Sequence, residues 1–349
     1  MKLSTPRWWY VRSRAPMPVT RMLLRPISWI WAWVTARRIR RAAPQSCGAA
    51  VICVGNVTMG GAGKTPVVRA LTSRLRAQGR EAAILSRGYG GRLKGPVRVD
   101  PSRHQASDVG DEPLMLASSA PVWISADRLA GAHAAAAAGA KVIVMDDGHQ
   151  NPSLARQLSL IVVDGETRND EWPFGDGAVF PAGPMREPLS AGLARADGVI
   201  LLMPADLATP DPELVALFGD LPVLTARLAP VGQAPDGPVV AFAGVGKPWK
   251  VERGLLAAGV RLADFAAFPD HFGYDEATLE RLAERARDFG ASLLTTEKDW
   301  ARLPAAWRSR VLSWPVEVSF DDADRLDRLV LDHIGAGPQT TPGRDRAEP

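Results

Sequence analysis

The residues best equipped for chemistry lie in "VTMGGAGKTP", residues 57–66. Gly60, Gly61 and Gly63 precede Lys64-Thr65, between the apolar run "AVICVG" and a helical pattern with Pro66 in its first turn. Glycines allow tight turns and close backbone approach, so the amides of such a loop and of the following helix start can cradle phosphate. This predicts nucleotide binding by Thr58, Met59, Gly60, Gly61, Ala62, Gly63, Lys64 and Thr65. Lys64 would neutralise the β- and γ-phosphates of ATP, and the Thr65 hydroxyl would bind Mg²⁺. The strict P-loop pattern wants glycine at position 58, where Thr58 stands. A ligand-free glycine-rich turn is the plainer alternative.

A second group of chemical residues closes "KVIVMDDGHQ" (141–150). A strand ending in Asp146-Asp147 looks like a Walker B element, whose carboxylates hold the metal directly or through water, though such acids also cap turns. Ligation is not divided between the two by spacing alone. Taken singly, Asp111-Glu112 reads as an acidic pair favoured at a helix start, and His271 as a turn histidine. Met59 stands where chromosome-partitioning ATPases carry lysine, and "TEKD" (296–299) misses the N-K-x-D of Ras-like GTPases by its threonine.

Elements must position these groups. Apolar runs at 50–55, 82–88, 121–125, 141–148 and 158–165 alternate with helical stretches at 65–79, 111–119 and 127–139. That rhythm predicts an α/β, P-loop NTPase-like, doubly wound, mostly parallel sheet with ligands at the carboxyl ends of its strands. Residues 46–164 would form this nucleotide-binding domain. Residues 165–190, rich in Gly, Pro and acid, interrupt it as a linker or hinge. Further runs at 198–203, 222–228, 238–244, 291–296 and 315–320 suggest a second, smaller α/β domain over 191–320, with a helix at about 275–289 opened by Asp275. A C-terminal helix at 321–335 and a disordered tail at 336–349 complete the order.

The net charge of +4 is uneven: residues 1–41 hold ten Lys/Arg and no acid, leaving 32 basic against 38 acidic residues beyond. A balance of −6 there excludes a generally basic, nucleic-acid-coating protein. Two cysteines, Cys47 and Cys53, build no disulfide framework, which points to a reducing cytoplasm. Five of the eleven tryptophans lie in the basic segment, around "PISWIWAWVTA". Eleven residues cannot span a bilayer, which takes about 20. Tryptophan and arginine suit the headgroup layer, so residues 1–45 read as an amphipathic helical arm on an anionic membrane surface or as an arm packed on its own domain.

Eight blocks together carry a more specific signal: "VGNVTMGGAGKTP", "LSRGYGG", "VGDEP", "VMDDGHQ", "FPAGPMREP", "AFAGVGKP", "FPDHFGY" and "LLTTEKD". In these, over roughly residues 8–335, the chain resembles the tetraacyldisaccharide 4'-kinases of lipid A biosynthesis. The resemblance implies an ATP- and Mg²⁺-dependent kinase on the cytoplasmic face of the inner membrane. Its substrate would be the membrane-embedded lipid A precursor, an acylated glucosamine disaccharide 1-phosphate phosphorylated at the 4'-hydroxyl. Asp111 falls at the family's catalytic aspartate and His271 at its paired histidine; Lys64 and Thr65 take the P-loop roles, Asp146 and Asp147 the metal side. Arg186 and Glu187 fall where family residues line the nucleotide and metal site, and Gln150 is retained. The family's D-D-G-F-Q-H is here D-D-G-H-Q-N, with His149 at the aromatic position and Asn151 at the histidine. Two rival readings remain beside a lipid kinase: an ATPase switch acting on a protein client, and a kinase or ligase for a soluble metabolite.

Overall fold

Runs that are apolar without interruption are stable only where helices cover both faces of a sheet, and the computed structural model buries them there. It describes residues 6–12 and 18–335; the expected tail at 336–349 lies outside the described residues, as do 1–5 and 13–17 of the arm. The strands in chain order are β1 (Ala50–Gly55), β2 (Ala82–Ser86), β3 (Val97–Arg98), β4 (Val122–Ile124), β5 (Val142–Asp146), β6 (Leu158–Asp164) and β7 (Gly198–Met203). Then follow β8 (Val223–Pro230), β9 (Pro238–Ala243), β10 (Arg261–Ala267), β11 (Ser292–Thr296), β12 (Val311–Trp314) and β13 (Val316–Phe320).

Nine strands form the larger sheet in the order β13-β8-β7-β6-β1-β5-β2-β4-β3. It is parallel from β8 to β4, with antiparallel β13 and β3 at its edges. β1 lies between β5 and β6, so the chain leaves β1 at the place where strand order reverses, the usual crevice for a ligand in such sheets. The smaller sheet is four parallel strands, β10-β9-β11-β12. Its helix Glu276–Asp288 starts as expected, with the Asp275 carboxylate accepting from the Thr278 amide at 2.8 Å.

The division of the chain differs from the expected one. β7, β8 and β13 pair into the larger sheet, so the smaller body is 238–314 and not 191–320. The helix Ala323–Ile334 likewise returns Leu326 and Val330 to the larger core. Segment 165–190 does not connect the bodies, because β6 before it and β7 after it are direct neighbours. The crossings are 231–237, between β8 and β9, and Pro315, between β12 and β13. An apolar run announces a strand but not its sheet, since the same side chains can be buried in either.

The described part of the arm forms a short 3-10 turn, Arg7–Tyr10, and a long helix, Pro18–Arg41, which turns three of its polar residues inward and leaves its remaining arginines exposed. Arg21, Ser28 and Thr35, seven residues apart, are buried against the larger body. Arg21 pairs with Asp176, and the Ala182 amide donates to the Ser28 hydroxyl at 3.1 Å. Many of its large apolar residues point away from the body: Leu23 is 68% exposed and Trp29 70%. The 165–190 segment is what this helix rests on, with the Trp31 ring 5.0 Å from Phe180 and its indole N–H donating to the Arg186 carbonyl at 3.1 Å.

Candidate active site

The phosphate loop leaves β1 and enters the helix Lys64–Ala77 through Gly63, whose φ of 77° is a left-handed conformation that favours glycine. Lys64 Nζ donates to Asn56 Oδ1 at 3.2 Å and lies 3.5 Å from Asp147 Oδ1. The loop is braced from outside. The Met59 amide donates to the Pro184 carbonyl at 2.6 Å, and its own carbonyl accepts from the Tyr10 hydroxyl. The smaller body reaches it through Gly246, where a Cβ would stand 3.0 Å from the Gly61 amide nitrogen. Between the bodies lies a cleft of about 1520 Å³ lined by the loop, Asp146, Asp147, Gln150, Arg186 and His271.

Asp146 ends β5 beside Val54 of β1 and is buried. Its Oδ2 accepts from the Ser86 hydroxyl at 3.5 Å, while Oδ1 has no hydrogen-bond partner among the described residues. Burial, with Glu112 and Asp147 nearby, pushes its carboxyl up to about 7. An orphaned, desolvated carboxylate oxygen beside a phosphate cradle is the environment a hard divalent cation relieves. No group of three or more His, Cys, Asp or Glu suited to a metal exists among the described residues, so a cation here would draw most of its ligands from phosphate oxygens and water. For Asp147 burial acts upward, but Lys64 and Arg186 outweigh it and hold the carboxyl well below the usual range. Arg186 Nη1 donates to Asp147 Oδ1 at 2.6 Å and Nε to the Thr58 carbonyl at 2.9 Å.

The remaining expected nucleotide residues divide. Gln150 and Arg186 face the cleft, whereas Thr58 and Glu187 stand behind its wall. Glu187 is gripped by Arg195 Nη2 at 2.6 and 2.7 Å and accepts from Gln150 Nε2 at 2.9 Å, so it places Gln150. His149, the departure from the family motif, is buried, its ring nitrogens 3.1 Å from the Ser159 hydroxyl and 3.0 Å from the Gly192 carbonyl. Burial, with Arg195 and Arg156 near, lowers it to about 3, so it is a neutral packing residue.

Asp111 opens the helix Asp111–Leu116 of the larger body, and His271 follows β10 of the smaller at a left-handed φ of 57°. They meet with His271 Nδ1 3.3 Å from Asp111 Oδ2. Burial pushes the Asp111 carboxyl up, but the hydrogen bond to His271 and the charges of Lys298 and Arg302 hold it well below the usual range. Arg302 was not legible as a site residue: Nε donates to Asp111 Oδ2 at 2.7 Å, and Nη2 lies 3.2 Å from His271 Nδ1. The "TEKD" motif supplies its support. Asp299 is wholly buried, and its Oδ1 accepts from Arg302 Nη1 at 2.8 Å. Lys298 binds Glu112 at 2.8 Å. The only sequence hint was that Arg302 lies one helical turn after Asp299.

Residues 20–335 match the family model LpxK, tetraacyldisaccharide-1-P 4'-kinase. The chain is 67% identical to the tetraacyldisaccharide 4'-kinase of Phenylobacterium zucineum (strain HLK1), over 95% of this chain and 99% of that protein. Its identity to the enzyme of the same name from Caulobacter vibrioides (strain NA1000 / CB15N) is 65%, over 95% of this chain and 98% of that one. Among solved structures it resembles LpxK from Aquifex aeolicus in complex with ATP, with a TM-score of 0.72 and 26% identity over 90% of this chain and 99% of that chain.

Proposed function

The chain belongs to the tetraacyldisaccharide-1-P 4'-kinase family, and on that premise we propose that it transfers the γ-phosphate of ATP to the 4'-hydroxyl of a tetraacylated glucosamine disaccharide 1-phosphate. The observation that carries the site assignment is the meeting of Asp111 and His271, one from each body, beside the cleft that holds Lys64.

Phosphoryl transfer through a loose transition state demands alignment and charge compensation more than a strong base. Asp111, kept ionised by its cationic neighbours, accepts the hydroxyl proton once bond formation to phosphorus has made that hydroxyl acidic. His271 orients the carboxylate from the opposite body. Lys64 and the amides at the start of its helix take up charge on the transferring group. Thr65, Asp146 and Asp147 would hold a magnesium ion, which would supply further neutralisation of the phosphate oxygens. Closure of the smaller body over the loop, which Gly246 permits, keeps water from the phosphate and limits hydrolysis.

The acceptor is a lipid, so the enzyme must work at a surface. No described helix is long and apolar enough to cross a membrane. The helix Pro18–Arg41, apolar outward and ending in Arg38, Arg40 and Arg41, supports peripheral docking on the anionic cytoplasmic face of the inner membrane.

The test is an assay of full-length protein with ATP, Mg²⁺ and the disaccharide 1-phosphate, following labelled phosphate into lipid. Lys64→Ala and Asp111→Ala should each lower turnover by about 100-fold or more. Undiminished transfer by Asp111→Ala would remove that residue from the mechanism. ATP consumption that ignores the lipid would favour an ATPase switch.

A further inference from the structure

We propose that Arg302 is the positioning residue of the phosphoryl-transfer site, presenting the Asp111 carboxylate by one edge and setting His271 beside it. The inference rests on the reading of Asp111 as the carboxylate that meets the acceptor hydroxyl.

The guanidinium is a rigid planar fork, and every one of its nitrogens is used. Nε and Nη2 both donate to Asp111 Oδ2, and Nη2 also lies 3.2 Å from His271 Nδ1. Nη1 donates to Asp299 Oδ1 at 2.8 Å and to the Gly244 carbonyl at 3.0 Å. Asp299 is itself immobilised: it accepts from the Gly244 amide at 3.0 Å, the Thr296 hydroxyl at 2.7 Å and the Tyr274 hydroxyl at 3.1 Å. A chain of side-chain hydrogen bonds therefore runs from the core of the smaller body to the carboxylate of the larger. Among the described residues these side-chain donors converge on Oδ2, so Oδ1 is the edge presented to the acceptor. Lysine could supply the charge of Arg302 but not a fork that holds Asp111 and Asp299 together. A bare strut between the bodies would need no such convergence on one oxygen.

The full chain is assayed with ATP, Mg²⁺ and the disaccharide 1-phosphate as Arg302→Gln, Arg302→Lys, Asp111→Asn and the double variant Asp111→Asn/Arg302→Gln, with thermal melting to confirm folding. Arg302→Gln is expected to lower kcat about 100-fold with KM for ATP within about twofold, and Arg302→Lys to recover about tenfold of that loss. In the Asp111→Asn background the same change should cost less than about threefold, because the carboxylate it positions is gone. If Arg302→Gln fails to fold, Arg302→Lys is compared against wild type and within Asp111→Asn by the same criteria. A kcat within about threefold of wild type, a loss confined to KM, or losses that multiply fully with Asp111→Asn would overturn the inference. Full activity of Asp111→Asn would instead strike the underlying reading, and the inference with it.

Discussion

Lys247 of the smaller body donates to Asp164 of the larger at 2.7 Å, and both side chains are nearly inaccessible to water. Asp164 closes β6 next to the phosphate-loop strand, while Lys247 opens the helix Pro248–Ala257 directly after the glycine that touches the loop. Lys250 joins the same carboxylate, and Arg253 pairs with Glu166 at 2.6 Å and Glu171 at 3.1 Å. The Lys247 ammonium also sits 4.1 Å from the centre of the Tyr10 ring, whose hydroxyl donates to Met59. This clasp joins the arm, the phosphate loop and the smaller body at one place.

Removing the acid of that clasp should therefore be costly. Asp164→Ala leaves the buried Lys247 and the half-buried Lys250 without their shared carboxylate, and a stability loss of about 3 kcal/mol is expected in denaturant melts. The pH dependence has a definite sign. Burial raises the Asp164 carboxyl, but the two lysines outweigh it and hold it well below the usual range. Its stabilisation is thus complete above the unfolded value of about 3.9 and lost as pH falls below it. The gap in melting temperature between wild type and Asp164→Ala should narrow on acidification below about pH 4.

His149 should report in a different window. Because the folded ring is lowered to about 3, the unfolded chain binds a proton that the native state refuses, and stability falls as pH drops from about 6.5 toward 3. His149→Phe, the family's residue type, removes that proton uptake. Its melting temperature should decline less than that of wild type between pH 7 and pH 5; equal slopes would show that His149 is not the titrating group.

Gly246 should act on nucleotide affinity. A Cβ there would already stand 3.0 Å from the Gly61 amide nitrogen, so a branched side chain must hold the smaller body off the loop. Gly246→Val is expected to weaken ATP binding by about tenfold or more while leaving the melting temperature nearly unchanged. ATP affinity equal to wild type in equilibrium titration would show that the contact is incidental.

The exposed tryptophans and arginines of the arm predict lipid dependence. Trp29→Ala/Trp33→Ala should cut sedimentation with phosphatidylglycerol-containing vesicles by several-fold, and raised salt should weaken binding of wild type through Arg37 to Arg41. Binding indifferent to both changes would place the arm elsewhere. Arg21→Ala tests the inward face: it breaks the pair with Asp176 and should loosen the helix, read as faster proteolysis within 18–41.

Much of this was legible along the chain because its causes are local. A strand, three glycines and a helix opening at Lys64-Thr65 form a tight loop through backbone geometry within a short stretch of chain, and Asp146 sits at a strand end because one apolar run stops there. Asp275 caps its helix by contacts three residues away. The pairing of Asp111 with His271 came from likeness to a family, since nothing in their separate neighbourhoods connects positions 160 residues apart.

Only the folded chain decided the rest. That β13 crosses back to the larger sheet, that 165–190 supports a helix and does not link the bodies, and that Arg302 and Lys247 meet acids of the opposite body depend on which surfaces come together. A burial pattern states that a side chain leaves water but not what it will touch. A charge reveals its use only when a partner from a distant segment offsets the cost of its desolvation.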